Sequence, residues 1–333
     1  MDGALSRPIR IGFLLVPQYS MIAFAAALEP LRIANRMADR PLYEWTLYSR
    51  DGGAVAASNG VETACSAAFA SARGLDMAIV CAGLDVQSHD HGELTSVLRR
   101  MNALGTALGA VCTGTYVLAL AGLLGGHRTT IHWENRPSLM SRFPDLDISS
   151  DLFVIDRRRY TCAGGTAAAD MMLSLILQDH GADIAFAVAE QMIHHRIREP
   201  GEGQRVDLRT RLGIANSKLV NVVALMERTI EKPLTSAELA ASVNISPRQL
   251  ERLFLKHLGR SPTRHYLSIR LEQARFLLRQ TSMPVLSIAL ACGFVSASHF
   301  SQSYAEWYGR SPSVERGKPP SARSRALAAT FEG

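Results

Sequence analysis

The sequence predicts an α/β domain with a mainly parallel sheet over residues 8–195, followed by an all-α domain with two helix-turn-helix motifs over residues 210–318. In the first part, apolar strand-like runs alternate with helical patterns, which is typical of parallel sheets. In the last third, one pattern occurs twice. The Gly-Arg-Ser-Pro sequence at residues 259–262 returns at residues 309–312, and the segments before both copies align without a gap.

The elements of the first domain follow from these patterns in order along the chain. Apolar or alternating runs predict strands at residues 9–16, 45–49, 77–81 and 108–111. Helical periodicity predicts helices at residues 22–37, 94–104, 115–121, 167–178 and 183–194. Two short runs flank a basic turn and predict a hairpin at residues 153–156 and 159–162.

Residues 196–209 are predicted to be a linker, because the segment 199–204 is polar and rich in Gly and Pro. Beyond it, residues 208–230 form a helical lead-in and a first helix. Each repeat then predicts a short helix, a tight turn and a second helix, and a long amphipathic helix at 263–280 joins the repeats. Residues 319–333 are rich in Ser, Arg and Ala and are predicted to be a disordered tail.

Composition and charge narrow the class of protein. Residues 210–333 hold 17 Lys and Arg against eight Asp and Glu, so the positive charge lies with the repeats, where it would attract phosphate. The longest apolar runs are too short to cross a bilayer. Five cysteines form no CxxC pair, which favours reduced thiols in the cytoplasm over a disulfide framework.

The second helix of each repeat carries the candidate DNA-binding residues. In the first repeat Ser246 is expected to cap this helix, and long donors follow near its start, where a recognition helix enters the major groove. The candidates are Arg248, Gln249, Arg252 and Lys256 in the first repeat and Ser298, His299 and Gln302 in the second. The first repeat is expected to supply more base-specific energy, and the second, with shorter side chains, more phosphate positioning.

Residues 210–318 resemble the AraC/XylS family of bacterial transcription regulators. The resemblance depends on the two helix-turn-helix units, the long joining helix, the Ile-Ala-Leu-Ala-Cys-Gly-Phe sequence at 288–294 and the paired Gly-Arg-Ser-Pro ends. It implies seven helices, with two recognition helices entering successive major grooves of promoter DNA. RNA polymerase is the further partner that such a regulator implies.

A second candidate site lies in the first domain. The sequence Gly-Ala-Val-Cys-Thr-Gly-Thr at 109–115 predicts a strand, a tight turn at Cys112 and a helix, whose dipole would lower the thiol pKa. With His132 and Glu134, it suggests a nucleophile, a base and an orienting acid. The region 9–190 resembles the PfpI-like branch of class I glutamine amidotransferase-like domains, which implies a flavodoxin-like sandwich. Catalytic relatives place a carboxylate on or before the first helix, but no acid precedes Glu29 there.

We therefore expect Cys112 to lie in a ligand pocket without catalysis, formed with Thr113, His132, Trp133 and Glu134. An aromatic face and a carboxylate suit an amine or quaternary ammonium, and the elbow N–H groups suit a carboxylate. The sequences at residues 11–17, 27–32 and 131–135 resemble most those of regulators of glycine betaine, carnitine or arginine catabolism. The alternatives are a Cys112-dependent hydrolase or amidase fused to a DNA-binding domain, and a ligand-free architectural repressor. No cofactor is expected, and the first domain is expected to form a homodimer.

Three polar clusters are expected to have structural roles. The His-Asp-His sequence at 89–91 could bind a metal, but a solvated loop is favoured because no third ligand is in sight. The His-His-Arg sequence at 194–196 ends a helix and is expected to satisfy its terminal carbonyls. Three arginines at 157–159 are expected to form an exposed hairpin tip.

Overall fold

A computed structural model describes residues 7–281 and 283–317 of the chain, which divides into two units between Gln204 and Arg205. The strands of the first unit are β1 (Ile9–Leu15), β2 (Tyr43–Ser49), β3 (Val55–Ala56), β4 (Glu62–Thr63), β5 (Ala67–Ala68), β6 (Met77–Ala82), β7 (Ala107–Cys112), β8 (Arg128–Thr129), β9 (Asp147–Ile148), β10 (Phe153–Asp156) and β11 (Arg159–Cys162). Its α-helices are α1 (Met21–Met37), α2 (Gly92–Ala103), α3 (Gly114–Leu120), α4 (Arg136–Arg142), α5 (Ala167–His180) and α6 (Ala182–Gln191).

One seven-stranded sheet, in the order β10-β11-β7-β6-β1-β2-β5, forms the centre of this unit. All neighbouring pairs are parallel except the β10–β11 hairpin. Strands β6 and β7 are buried at every position because helices cover both faces. One apolar core joins α1, α5 and α6 to the sheet, and the other joins α2 and α3 to the opposite face. The α/β fold predicted from the alternating pattern is confirmed.

The segment 196–204, predicted as part of a linker, is attached to the first unit. The amide of Leu152 donates to the carbonyls of Pro200 and Glu202 at 3.0 and 3.2 Å, and Asp151 forms an antiparallel bridge with Gly203. Arg196 forms an ion pair of 2.7 Å with Glu202 across the turn. The Gly- and Pro-rich segment therefore forms a turn that hydrogen-bonds to residues 151–152. The boundary between the two units follows Gln204, at the end of this turn.

The second unit is all-helical. Its helices are α7 (Leu208–Leu212), α8 (Ser217–Arg228), α9 (Ser236–Ala241), α10 (Pro247–Leu258), α11 (Pro262–Gln280), α12 (Val285–Ala291), α13 (Ala297–Tyr308) and α14 (Pro312–Glu315). The seven helices from α8 to α14 match the number that the family resemblance implies, and α7 is the lead-in. The predicted disordered tail at 319–333 lies outside the described residues.

Each helix-turn-helix unit has a core of its own. Leu250 and Phe254 of α10 pack with α8 and α9, and Phe300 and Tyr304 of α13 pack with α12. Helix α11 contributes to both cores, because Tyr266 belongs to the first and Leu271 to the second. The long joining helix therefore links two small cores, neither of which includes residues of the other repeat.

Candidate functional site

Local hydrogen bonds determine where the helices of the first repeat begin and end. Thr235 forms a capping box with Glu238 at the start of α9. Ser246 forms a second capping box at the start of α10, where its backbone amide donates to Gln249 Oε1 at 2.9 Å and the Gln249 amide donates to Ser246 Oγ at 3.2 Å. Pro247 occupies the first turn, where its missing N–H leaves no unmade bond. These caps hold the start of α10 in place.

The outer face of α10 carries the four predicted DNA-binding residues. Arg248, Gln249, Arg252 and Lys256 are all exposed and line one open cleft, together with Leu255, which is 54% exposed. Sequence reasoning missed one constraint on this surface. Because Gln249 Oε1 already accepts from the Ser246 amide at 2.9 Å and from the Ser246 hydroxyl at 3.3 Å, bidentate recognition of adenine by this amide would compete with the cap.

The second repeat has the same geometry with different chemistry. Ser296 caps α13 by accepting from the His299 amide at 3.2 Å, and Ser298, His299 and Gln302 are exposed. Gln302 Nε2 donates to Glu306 Oε1 at 3.1 Å, so an acidic side chain lies on this surface. This face consequently offers fewer long donors than α10.

Sequence reasoning missed Arg270, which supports the second turn from helix α11. Its guanidinium donates to the carbonyls of Cys292 and Gly293, both at 2.8 Å, and stacks over the Phe294 ring at 4.2 Å. Burial lowers the pKa of this arginine, but it remains a cation at neutral pH. Helical periodicity could not reveal this role, because it does not distinguish a solvated arginine from one that packs on a turn distant in sequence.

The turn after β7 is the strained elbow that the sequence predicts. Cys112 has a φ of 59°, which is uncommon for a residue with a side chain. Thr113 Oγ1 donates to the Gly83 carbonyl at 2.7 Å, and the His132 amide donates to the Cys112 carbonyl at 3.4 Å. Gly164 packs so closely that a Cβ there would lie 2.7 Å from Cys112 Cβ. The elbow is therefore enclosed by three neighbouring loops.

The predicted lowering of the thiol pKa is wrong. Cys112 is 8% exposed, and burial raises its pKa to about 12, because the thiolate would lose its hydration. The bond from the Thr113 amide opposes this shift, whereas the nearby charge of Glu134 adds to it. The thiol is therefore protonated at neutral pH.

The other candidate residues of this site lie on the turn after β8. His132 Nδ1 and Glu134 Oε2 are 3.7 Å apart, which is longer than a hydrogen bond. Burial lowers the pKa of His132 and raises that of Glu134, so both shifts disfavour an ion pair. Trp133 is 40% exposed, and its ring lies 5.7 Å from the His132 ring. The structure thus brings Cys112, Thr113, His132 and Glu134 together without the close contacts that activate a nucleophile.

The polar clusters at residues 89–91, 157–159 and 194–196 have burial and hydrogen-bond partners other than those expected from the sequence. His194 does not satisfy helix carbonyls with its ring, because Nε2 lies 2.8 Å from Oδ1 of the fully buried Asp170. Arg159 is buried and donates to the Leu123 carbonyl at 2.8 Å, so only part of the predicted arginine tip is exposed. His91 is also buried, with Nε2 at 2.6 Å from the Val86 carbonyl, so of residues 89–91 only Asp90 is fully exposed as a solvated loop would be.

Asp170 accepts further hydrogen bonds from the segment that precedes the unit boundary. The backbone amide of Arg198 donates to Oδ1 at 2.8 Å, and its guanidinium donates to Oδ2 at 2.6 and 3.0 Å. Arg198 also donates to Thr166 Oγ1 at 2.6 Å.

Within residues 7–281 and 283–317, no group of three or more His, Cys, Asp or Glu side chains is placed to hold a metal ion. In the same residues, no helix combines the length and the apolar character that crossing a membrane requires.

Together, the capped, exposed α10 and its repeat define a DNA-binding protein of the helix-turn-helix class, preceded by an α/β domain. The helix-turn-helix domain model matches residues 239–318, and the DJ-1/PfpI family model matches residues 21–178. The chain is 46% identical to the HTH-type transcriptional regulator GbdR of Pseudomonas aeruginosa over 94% of this chain and 85% of that protein. It is 45% identical to CdhR of the same species over 96% and 94% of the two chains.

Two solved structures each match more than half of the chain. The crystal structure of an AraC family transcriptional regulator from Pseudomonas putida matches with a TM-score of 0.53 and 32% identity, over 56% of this chain and all of that one. A THiJ/PfpI family protein from Pseudomonas syringae, with a TM-score of 0.51 and 21% identity over 68% of this chain and 87% of its own, shows the same α/β fold. The chain therefore belongs to the AraC family of transcriptional regulators that carry a DJ-1/PfpI domain, and it is a DNA-binding transcriptional regulator.

Proposed function

We propose that the chain is a ligand-responsive transcriptional activator whose first unit binds a small effector at the Cys112 elbow without catalysing a reaction. The observation that carries the non-catalytic part is the burial of Cys112, which is 8% exposed; this burial raises the thiol pKa to about 12 and so disfavours the thiolate at neutral pH. The distance of 3.7 Å between His132 Nδ1 and Glu134 Oε2 points the same way. A Cys112-dependent hydrolase is the competing function.

The proposed effector is a small nitrogenous metabolite of the betaine, carnitine or arginine type. Trp133 offers an aromatic face, and Glu134 offers a carboxylate on the same turn, a combination that suits a quaternary ammonium or a cationic amino acid. Burial raises the pKa of Glu134, and a bound cation would favour its ionised form. Ligand binding and ionisation of this carboxylate would therefore reinforce each other.

The proposed route of the signal is the segment 194–204, which is bound to loops on both sides of the elbow. Gln204 Nε2 lies 3.0 Å from the Ile131 carbonyl, directly before the His132 turn. Arg198 bonds to Thr166 and to Asp170 at the start of α5, and Gly164, two residues before Thr166, packs on Cys112. A ligand that shifts either loop would thus act on the segment that leads into the DNA-binding unit.

On DNA, we propose that α10 supplies base-specific contacts and α13 mainly phosphate positioning, in a homodimer that recruits RNA polymerase. Arg248→Ala should relax the preference for one base position, at a cost of about 1–3 kcal/mol. Lys256→Ala should weaken all sequences alike and reduce the salt dependence by about one phosphate contact. Footprinting and binding titrations on single-base variants of the promoter distinguish the two, and equal loss on every sequence for both variants would contradict the role of Arg248.

The effector proposal is tested by calorimetry with glycine betaine, carnitine, dimethylglycine and arginine, alongside a promoter reporter. Glu134→Gln should weaken binding of the active compound by about tenfold, as expected for loss of one charged contact, while promoter binding stays intact. Glu62→Gln, at an exposed position, is the matched control. If none of the four compounds binds, the effector class is wrong, and if wild type but not Cys112→Ser turns over a candidate amide, the hydrolase function replaces the sensor.

A further inference from the structure

A cavity of about 120 Å³ lies in the first unit beside the carboxyl ends of β1 and β2. Its floor is apolar and closed, because Val16, Phe69 and Leu94 are each at most 5% exposed. None of the five predicted effector residues lines this cavity. An engineered cavity of ~150 Å³ holds benzene, so this slightly smaller cavity suits a ligand of about five heavy atoms.

The rim of this cavity is polar and carries donors that have no acceptor. Arg50 Nη2 donates to the Asp90 carbonyl at 2.8 Å and to Asp90 Oδ2 at 2.7 Å, and both side chains are more than half exposed. Within the described residues, both protein hydrogen bonds of the Arg50 guanidinium come from Nη2, so Nε and Nη1 are open to solvent or to a ligand. His89 Nε2 is buried and also has no hydrogen-bond partner among the described residues.

The charges at the rim favour an anion over a cation. Both carboxylate oxygens of Asp90 are engaged, Oδ2 by Arg50 and Oδ1 by the amide of Gly92 at 2.9 Å. The hydrogen bonds left for a ligand are therefore those of Arg50 Nε and Nη1 and of His89 Nε2, which donates when this nitrogen carries the proton. A buried polar atom without a partner is costly, which makes an acceptor supplied by a ligand favourable.

We infer that this cavity binds a small aliphatic monocarboxylate, with its carboxylate at Arg50 and His89 and its apolar body against Val16, Phe69 and Leu94. The inference goes beyond the proposed effector function, because it needs neither the elbow residues nor a cationic ligand. His91 connects the two regions: its buried ring lies 6.3 Å from the ring of Tyr116 in α3, which follows the elbow. A ligand in the cavity that displaces His91 would therefore also displace Tyr116 and the helix that begins at Gly114.

The test uses the full chain and sodium 3-methylbutanoate as the probe, with 3-methylbutanamide as its uncharged isostere. A ligand of this size should bind with a Kd on the order of 1 mM. The amide should bind at least about tenfold more weakly, since it lacks the charge that Arg50 recognises. Isothermal titration calorimetry and ligand-dependent thermal shifts measure both compounds.

Variants locate the binding in the cavity. Arg50→Gln and His89→Asn should each weaken 3-methylbutanoate binding by about tenfold, and Arg50→Lys should retain part of it. Arg32→Gln, whose side chain pairs with Glu29 on the surface of α1, is the matched control and should change nothing. Glu134→Gln should also leave this binding unchanged, which separates it from the elbow. Equal affinity for acid and amide, or binding that survives both Arg50→Gln and His89→Asn, would overturn the inference.

Discussion

Replacing Asp170 by Asn should destabilise the first unit more than any exposed charge substitution does. The carboxylate is fully buried and accepts from His194 Nε2, the Arg198 amide and the Arg198 guanidinium at 2.6–3.0 Å. Asn keeps the shape but removes the charge and one acceptor oxygen, so the Arg198 cation loses its buried partner. Breaking a buried pair costs ~3–5 kcal/mol. Because the Arg198 side chain is 28% exposed and can regain some hydration, we expect about 3 kcal/mol.

For a unit of this size, a loss of about 3 kcal/mol lowers Tm by roughly 6–12 °C. The chain has three tryptophans, and only Trp307 lies in the second unit. In a Trp307→Phe background, tryptophan fluorescence from Trp45 and Trp133 therefore reports thermal unfolding of the first unit alone.

Glu202→Gln is the control for Asp170→Asn, because it removes the charge of a solvent-accessible pair with Arg196, in which the two side chains are 67% and 31% exposed. Such a pair contributes less than about 1 kcal/mol. If Asp170→Asn lowered Tm no more than Glu202→Gln, the buried carboxylate would not hold the segment 194–204, and its proposed part in signalling would fall with it.

Two further predictions follow from the pKa shifts. Iodoacetamide should leave Cys112 of the native protein unmodified at about pH 8, since a pKa of about 12 reduces the thiolate fraction roughly a thousandfold relative to an ordinary thiol. Peptide mass spectrometry measures the extent of labelling. Labelling as fast as in the denatured chain would contradict the prediction. Burial lowers the pKa of His265 to about 4, so the folded second unit disfavours its protonation, and stability is lost as pH falls from the ordinary value of 6.5 towards 4. Urea unfolding should show a loss of about 2 kcal/mol between pH 7 and pH 5, which His265→Phe should largely remove; the same pH dependence in this variant would exclude His265 as the cause.

The sequence predicted the long elements well because their patterns are strong. Strands β6 and β7 are unbroken apolar runs, and α10 begins with Pro247 directly after its cap Ser246, in the order that starts a helix. The pairs β3–β4 and β8–β9 were not predicted, because two-residue strands have no period to detect. The turn at residues 196–204 was predicted as a linker because its pairing partner, at residues 151–152, is distant in sequence.

The sequence identified which residues form the candidate sites, but it did not predict their burial, their partners or their pKa values. The elbow at Cys112 was located from a strand followed by Thr-Gly-Thr, yet its high pKa depends on packing by Gly164 and on Glu134, which come from other loops. The role of Asp170 was missed for the same reason, since an acid within an apolar helix has no visible partner until His194 and Arg198 fold onto it. Likewise, the cavity beside His89 depends on Arg50, from a different strand end.

The close approach at the elbow has an evolutionary consequence. A side chain at Gly164 would meet Cys112 at 2.7 Å, and one at Gly114 would meet the Val80 carbonyl at 2.3 Å. Purifying selection should therefore hold both glycines for reasons of space alone, whether or not the neighbouring thiol reacts. A lineage that gave up catalysis would keep the motif around the nucleophile, and its sequence would still resemble that of an enzyme. The sequence of the elbow therefore reports its packing, whereas the reactivity of Cys112 depends on the burial of its side chain.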